Sequence, residues 1–178
     1  MRKLNTSELH RKTVQDFKNA SKIPIVVVLD NVRSLNNIGS IFRTSDAFLI
    51  EAIYLCGISA TPPHKEIHKT ALGAEDSVSW KYFESTFTAT EILKSQGYVL
   101  IALEQTEHSI SLEKFPVDPL QKYALIFGNE VKGIQQEVID GCDQCIEIPQ
   151  FGTKHSFNVS VTAGIVFWEL YRRMILEA

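Results

Sequence analysis

Short apolar runs alternate with helix-like segments along this chain, and that alternation limits it to few architectures. Pro24 to Leu29, Ala52 to Cys56, Tyr98 to Leu103, Tyr123 to Phe127 and Cys145 to Ile148 read as strands. Ile38 to Ile50, Thr90 to Gln96, Gly133 to Gly141 and a last segment from about Ser160 to Leu176 read as the helices between them. Trp80 and Tyr82 add an alternating strand after the loop containing Pro62 and Pro63. Strands and helices in turn give an α/β layered fold around a mostly parallel sheet. Thr88 with Glu91 has the pattern of a capping box, and Gly97 stands where a left-handed residue would end that helix.

With 178 residues, the chain has room for one domain at about 150 residues per domain. Hydrophobic residues are 44% and charged residues 22%, which excludes disordered and low-complexity classes. Eighteen Lys and Arg against 21 Asp and Glu give a formal charge of −3, so the whole surface is not built to coat a polyanion. The charge is uneven, however. Residues 1–22 carry Arg2, Lys3, Arg11, Lys12, Lys18 and Lys22 against Glu8 and Asp16, a charge of +4, leaving −7 for the rest. A basic helical arm (1–22) on an acidic body (23–178) points to a local polyanion contact or to a solvated terminal helix.

Three cysteines, Cys56, Cys142 and Cys145, do not make a disulfide framework, so a cytoplasmic setting is expected. No apolar run approaches the ~20 residues that span a bilayer, and no apolar leader follows Met1. Cys142 and Cys145 form one CxxC with no second pair, and His64 and His68 do not make an HExxH motif, so no metal is expected. His155 beside Ser156 lacks the GxSxG elbow of a hydrolase.

In Ile38 to Ile50, the residues Ile38, Ile41, Phe42, Phe48 and Leu49 form one stripe, with Gly39 and Arg43 off it. In the last helix the apolar set Val161, Ala163, Ile165, Phe167, Trp168, Leu170, Tyr171, Met174 and Ile175 covers more than half the circumference. One sheet face cannot cover so wide an arc, which points to a dimer contact, with an ordinary core helix as the alternative.

Three polar clusters follow strands, where open α/β sheets gather ligands. The first is Asp30, Asn31, Asn36, Asn37, Gly39 and Arg43. Here Arg43 can reach a phosphate or carboxylate with its planar fork, or pair with Asp46 on its own helix. The second is Gly128, Asn129 and Glu130 with Lys132 and Gly133, which fits neither a P-loop nor GxGxxG. The third runs from Ile148 and Pro149 through Gly152, His155, Ser156, Asn158 and Ser160, where Ser156 and Asn158 are also candidate helix caps.

Together these clusters resemble the three ordered motifs of the SpoU, or TrmH, branch of the SPOUT RNA methyltransferases. Asn37-Ile38-Gly39 with Arg43-Thr44 resembles the first, Leu125 to Glu130 with Gly133 the second, and Ile148-Pro149 with Ser156 to Val161 the third. The resemblance implies a SPOUT fold with a C-terminal deep trefoil knot, a homodimer, S-adenosylmethionine as methyl donor, and transfer to a ribose 2′-hydroxyl of tRNA or rRNA. Periodicity alone gives no knot, and general topology rules disfavour one. Carried over residue by residue, Leu103, Gly128, Ile148, Phe157 and Asn158 hold the cofactor, with Phe157 where Leu is commoner. Asn37, Arg43, Glu130, Ser156 and Asn158 form the catalytic group. Because a guanidinium is a poor proton acceptor, with a pKa above ~12, Arg43 is expected to bind phosphate and stabilise the developing alkoxide. Glu130 is expected to anchor Arg43 or the loop carrying Asn129. Arg11, Lys12 and Lys18 of the arm, with Lys65 and Lys69 in the loop near Gly73, are expected to guide RNA. The competing expectation is a noncatalytic RNA-binding or cofactor-sensing dimer.

Overall fold

The computed structural model describes residues 1–177. Seven strands, β1 (Ile23–Asp30), β2 (Ile50–Cys56), β3 (Ser79–Phe83), β4 (Tyr98–Leu103), β5 (Ile110–Ser111), β6 (Lys122–Phe127) and β7 (Gln144–Glu147), form one sheet in the order β3-β2-β1-β6-β4-β7-β5. Every pairing is parallel. β1 lies near the centre, and Ile25, Val26, Val27, Val28 and Leu29 are all buried. That is why this strand reads as a continuous apolar run: helices cover both faces of a parallel sheet.

The helices are α1 (Val14–Asn19), α2 (Leu35–Ala47), α3 (Lys65–Ala71), α4 (Ala74–Ser77), α5 (Thr86–Ser95), α6 (Gln136–Gly141) and α7 (Val159–Tyr171), the last continued by a wider π turn at Arg172–Leu176. One core layer joins Ile25, Val27 and Leu29 to Ile38, Ile41 and Phe42 of α2, Ile67 of α3, and Val166, Phe167 and Leu170 of α7. The other joins Val26 and Val28 to Ala89 and Leu93 of α5 and Val138 of α6. Residues 1–22 are held to the body by Phe17, 3% exposed within the first layer, a burial that contributes about 2 kcal/mol.

Several boundaries differ from those read in the sequence, each for a local reason. The segment expected to begin at Ile38 starts at Leu35, because Ser34 accepts from the Asn37 N–H at 3.3 Å and caps it. It ends at Ala47, since Leu49 adopts φ 54° and Ile50 already belongs to β2. The expected box at Thr88 lies inside α5, whose cap is Ser85, while Gly97 does take the left-handed conformation, φ 83°. Gly133 is not helical. It bridges back to Asn129 in the loop before α6. Lys65 and Lys69 stand on α3 rather than in a loop. This short helix and α4 carry too few apolar positions to show a period.

Gly39 also has a different reason for being glycine than proximity to a ligand. A Cβ there would lie 2.3 Å from the Ile67 carbonyl and 2.1 Å from Thr70 Oγ1. Its lack of a side chain lets α2 and α3 pack in contact.

Candidate functional site

The carboxyl ends of the parallel strands bring the loops after β1, β4, β6 and β7 to one edge of the sheet. Asp30, the last residue of β1, is fully buried and ties the loop after β1 to those after β3 and β6. Its carboxylate accepts from Thr86 Oγ1 at 2.6 Å, and at 2.8 Å each from Asn31 Nδ2, Gln135 N and Gln135 Nε2. A buried carboxylate is tolerable only with such donors. Asn129 does the same for the β6 loop, donating to the Asn31 carbonyl at 2.7 Å and accepting from the N–H groups of Val131 and Lys132.

A cavity of about 670 Å³ opens among these loops, within the range of small-molecule sites, ~300–1,000 Å³. Leu103, Gly128, Ile148, Phe157 and Asn158 all line it, as do Glu130 and Ser156. Gly128 is a point of close backbone approach, since a Cβ there would lie 2.3 Å from both Gly133 C and Ile134 N. Glu104, which the sequence reading missed, steadies the opposite strand of that turn by accepting from the Ile134 N–H at 3.1 Å. Its position immediately after β4, on the ligand-bearing edge, was the available signal.

One polar chain joins the three motif regions. The Glu130 carboxylate accepts from the N–H groups of Arg33 and Ser34 and from Asn37 Nδ2, each at 3.0 Å. Asn37 Oδ1 in turn accepts from Asn158 Nδ2 at 3.0 Å. Asn158 caps α7, its Oδ1 accepting from the Ser160 N–H at 2.9 Å. Glu130 therefore holds the N-terminus of α2 rather than the guanidinium of Arg43. Of the two cap candidates before α7, Asn158 takes the role and Ser156 does not.

Burial pushes the Glu130 carboxyl up, but the donors from Arg33, Ser34 and Asn37 outweigh it and leave the group below its ordinary 4.5. A carboxyl lowered on folding contributes stability above its unfolded value, and that contribution is lost as pH falls through the folded value. Glu130→Gln should therefore lose less stability than the parent protein when pH is lowered from 6 to about 3. Paired urea titrations at the two pH values check this, and identical losses would show that Glu130 is not linked to folding.

Arg43 is exposed and takes no part in the cavity lining. Among the described residues it forms no hydrogen bond or ion pair, not even with Asp46 one turn on. Burial raises the carboxyl of Asp46, and a hydrogen bond from Ser77 lowers it in part. Arg43 belongs to an outward stripe of α2, Asn36, Ser40, Arg43 and Ala47, at helical spacing. The neighbouring Thr44 faces Gly164 of α7. Of the expected RNA contacts, Arg11 and Lys12 are exposed, whereas Lys69 is paired with Glu66 at 2.7 Å. Lys22 turns inward to the Ala20 carbonyl at 2.8 Å, and Arg2 pairs with Glu8. Cys142 is no exposed thiol: burial pushes it up to about 12, and its Sγ lies 3.2 Å from the Val138 carbonyl.

A wholly parallel sheet whose carboxyl-edge loops close on a glycine-lined cavity defines an α/β protein that binds a small molecule at its loops. Comparison with known proteins makes this specific: residues 24–168 match the SpoU rRNA Methylase family, and the chain belongs to it. The 23S rRNA (guanosine-2′-O-)-methyltransferase RlmB of Neisseria meningitidis serogroup B is 27% identical over 174 residues, covering 98% of this chain and 68% of its own. The tRNA (guanosine(18)-2′-O)-methyltransferase of Aquifex aeolicus is 27% identical over 169 residues, 93% of this chain and 77% of its own. Among solved structures, the AdoMet-bound rRNA methyltransferase from Sinorhizobium meliloti superposes with a TM-score of 0.78 at 25% identity, covering 89% of this chain. This chain spans 60% of the length of that protein.

Proposed function

We propose that this chain transfers a methyl group from S-adenosylmethionine to a ribose 2′-hydroxyl of tRNA or rRNA. The observation that carries the reading is the Glu130–Asn37–Asn158 chain, which joins residues 93 and 121 positions apart beside one cavity. The cavity fits the cofactor in chemistry as well as size. Its loops offer backbone polar groups around Gly128 for an adenine edge, and Leu103, Ile146 and Ile148 give apolar walls for the ring. Bound S-adenosylmethionine supplies an electrophilic methyl group, which an in-line attack by the ribose oxygen removes.

The chain's own residues do the rest. Asn37 and Asn158 fix the two helix N-termini beside the cavity, and Ser156 and Phe157 shape its rim. Glu130 is engaged with three donors, so its charge is directed at the α2 N-terminus and away from the donor's sulfonium. A carboxylate at the sulfur would stabilise the charged ground state over the transition state. Arg43 binds the RNA phosphate and stabilises the oxyanion as the hydroxyl proton leaves through phosphate or water.

The active form is a homodimer. Trp168 and Tyr171 stack with centroids 6.5 Å apart, and Val161 and Trp168 of α7 and Ile175 of the π turn that continues it are each about half exposed. The Arg43 stripe of α2 borders this face, so the partner's cavity is where Arg43 acts. A C-terminal deep trefoil knot belongs to the same proposal. Its support is the route of the segment after β7, which passes the β4 loop, Gln105 Nε2 donating to the His155 carbonyl at 3.4 Å, before reaching α2. No helix among the described residues is long and apolar enough to cross a membrane, and RNA modification suits a cytoplasmic location.

Residues 1–22 are the RNA-guiding arm and 23–178 the methyltransferase domain. Replacing both Arg11 and Lys12 with Ala should reduce the slope of log affinity against log salt by about 2, one unit per phosphate contact. An unchanged slope would remove the arm from the RNA path. The reaction itself is tested by mapping ribose methylation in RNA from cells with and without the protein. One site should vanish, and a map with no change would overturn the proposed activity.

A further inference from the structure

The wall of the cavity holds a fixed carboxylate that the proposed reaction does not use. Glu104 directly follows β4, at the carboxyl edge of the sheet, and lines the cavity beside Leu103. We infer that its carboxylate receives the ribose 2′- and 3′-hydroxyls of the bound cofactor and, by the same charge, keeps adenosines of the RNA substrate out of this cavity. The inference rests on S-adenosylmethionine being the methyl donor.

Glu104 is held from three sides. Its N–H donates to the Ile146 carbonyl at 3.1 Å, Oε1 accepts from the Gln105 N–H at 3.0 Å, and Oε2 accepts from the Ile134 N–H at 3.1 Å. The facing turn leaves room for it: Gly133 has φ 69°, and a Cβ there would lie 2.3 Å from Oε2. An ionised carboxylate has about four lone-pair sites. Each oxygen gives one of them to a backbone N–H and has no other donor among the described residues. Glu104 is half-buried, so both oxygens keep acceptor capacity at the edge of an open space. Glu147 also borders the cavity, but its side chain forms no hydrogen bond among the described residues and nothing fixes its carboxylate.

Two fixed acceptors side by side select two neighbouring donors. In S-adenosylmethionine only the ribose diol offers such a pair free of adjacent acceptors. Ring nitrogens flank the adenine amino group, and the terminal ammonium stands beside its own carboxylate. A carboxylate after a strand is a recurrent means by which α/β sheets hold ribose hydroxyls. The position also suits the order of groups along the ligand. Leu103 precedes Glu104 and Ile146 accepts its N–H, and both are apolar walls for the adenine ring, to which the ribose is attached. An adenosine inside RNA carries a phosphate on its 3′-oxygen. It lacks the free diol and brings negative charge toward Glu104, so the group that favours the cofactor rejects the substrate's own nucleosides.

Calorimetric titration of the full chain with S-adenosylhomocysteine and its 2′-deoxy and 3′-deoxy forms tests this. Loss of either hydroxyl should weaken binding by about tenfold or more, the effect of removing a hydrogen bond to a charged group. Glu104→Gln, checked for an unchanged melting temperature, should bind the three within about threefold of one another. A side chain that only braced the β6 loop would weaken all three alike and preserve their ratios. In competition with S-adenosylhomocysteine, adenosine 3′-phosphate should be at least about tenfold poorer than adenosine, and the gap should narrow in Glu104→Gln. Deoxy forms that bind the parent as tightly as S-adenosylhomocysteine, or ratios that persist in the folded variant, would overturn the inference and leave the donor assignment standing. A parent chain that does not bind S-adenosylhomocysteine would overturn both. Ribose-selective binding without methyl transfer to RNA would support the inference and remove the activity alone.

Discussion

Arg43→Ala should lower methyl transfer to RNA by about 10²–10³-fold while leaving the dissociation constant for S-adenosylmethionine unchanged, the effect expected of removing the proposed donor to a developing oxyanion. The separation of the two effects follows from the geometry: Arg43 is exposed on α2 and lies outside the cavity lining. Its removal costs the fold nothing measurable, because it makes no contact with another charged group among the described residues. Single-turnover rates with labelled donor, beside calorimetric titration of the cofactor, check both halves. Near-normal rates would end the assigned role.

Gly128→Ala should have the opposite profile: cofactor binding is expected to fall by at least about 100-fold, and stability by about 1–3 kcal/mol, the usual cost of overpacking. The added methyl would sit 2.3 Å from backbone atoms of both Gly133 and Ile134, and backbone cannot swing aside as a side-chain tip can. The β6 loop must open, and that loop is a wall of the cavity. Calorimetry and urea denaturation of the variant measure the two losses. Wild-type affinity would show that the loop does not touch the cofactor. Used together, the two variants also test whether Arg43 acts across the proposed dimer. Random pairing of Arg43→Ala with Gly128→Ala chains makes half the dimers mixed, each with one complete site if the guanidinium acts across the interface, so about a quarter of parental activity returns. If Arg43 served its own protomer, no complete site would form and nothing would return.

The sheet was legible in the sequence because strands buried on both faces announce themselves as apolar runs: β4 was bounded at the same residues, and β1, β2, β6 and β7 within one or two. Helix starts were less legible. Ser34 and Ser85 end polar stretches in which several residues are plausible caps, and only tertiary contact selects one. For the site, the motif residues were visible but their connections were not. Sequence spacing carries no sign that Asn37 meets both Glu130 and Asn158, or that Gly39 serves a helix–helix contact. The placement of Arg43 outside the cavity was equally hidden, since direction around α2 depends on which faces α3 and α7 occupy.

The hydrogen bond between Asn37 and Asn158 has a consequence for how the protein comes into being. A nascent chain that has already laid down all seven strands still lacks the partner of the Asn37 side chain, because Asn158 arrives with the last helix. The joining of the three motif regions is thereby deferred until α7 is in place.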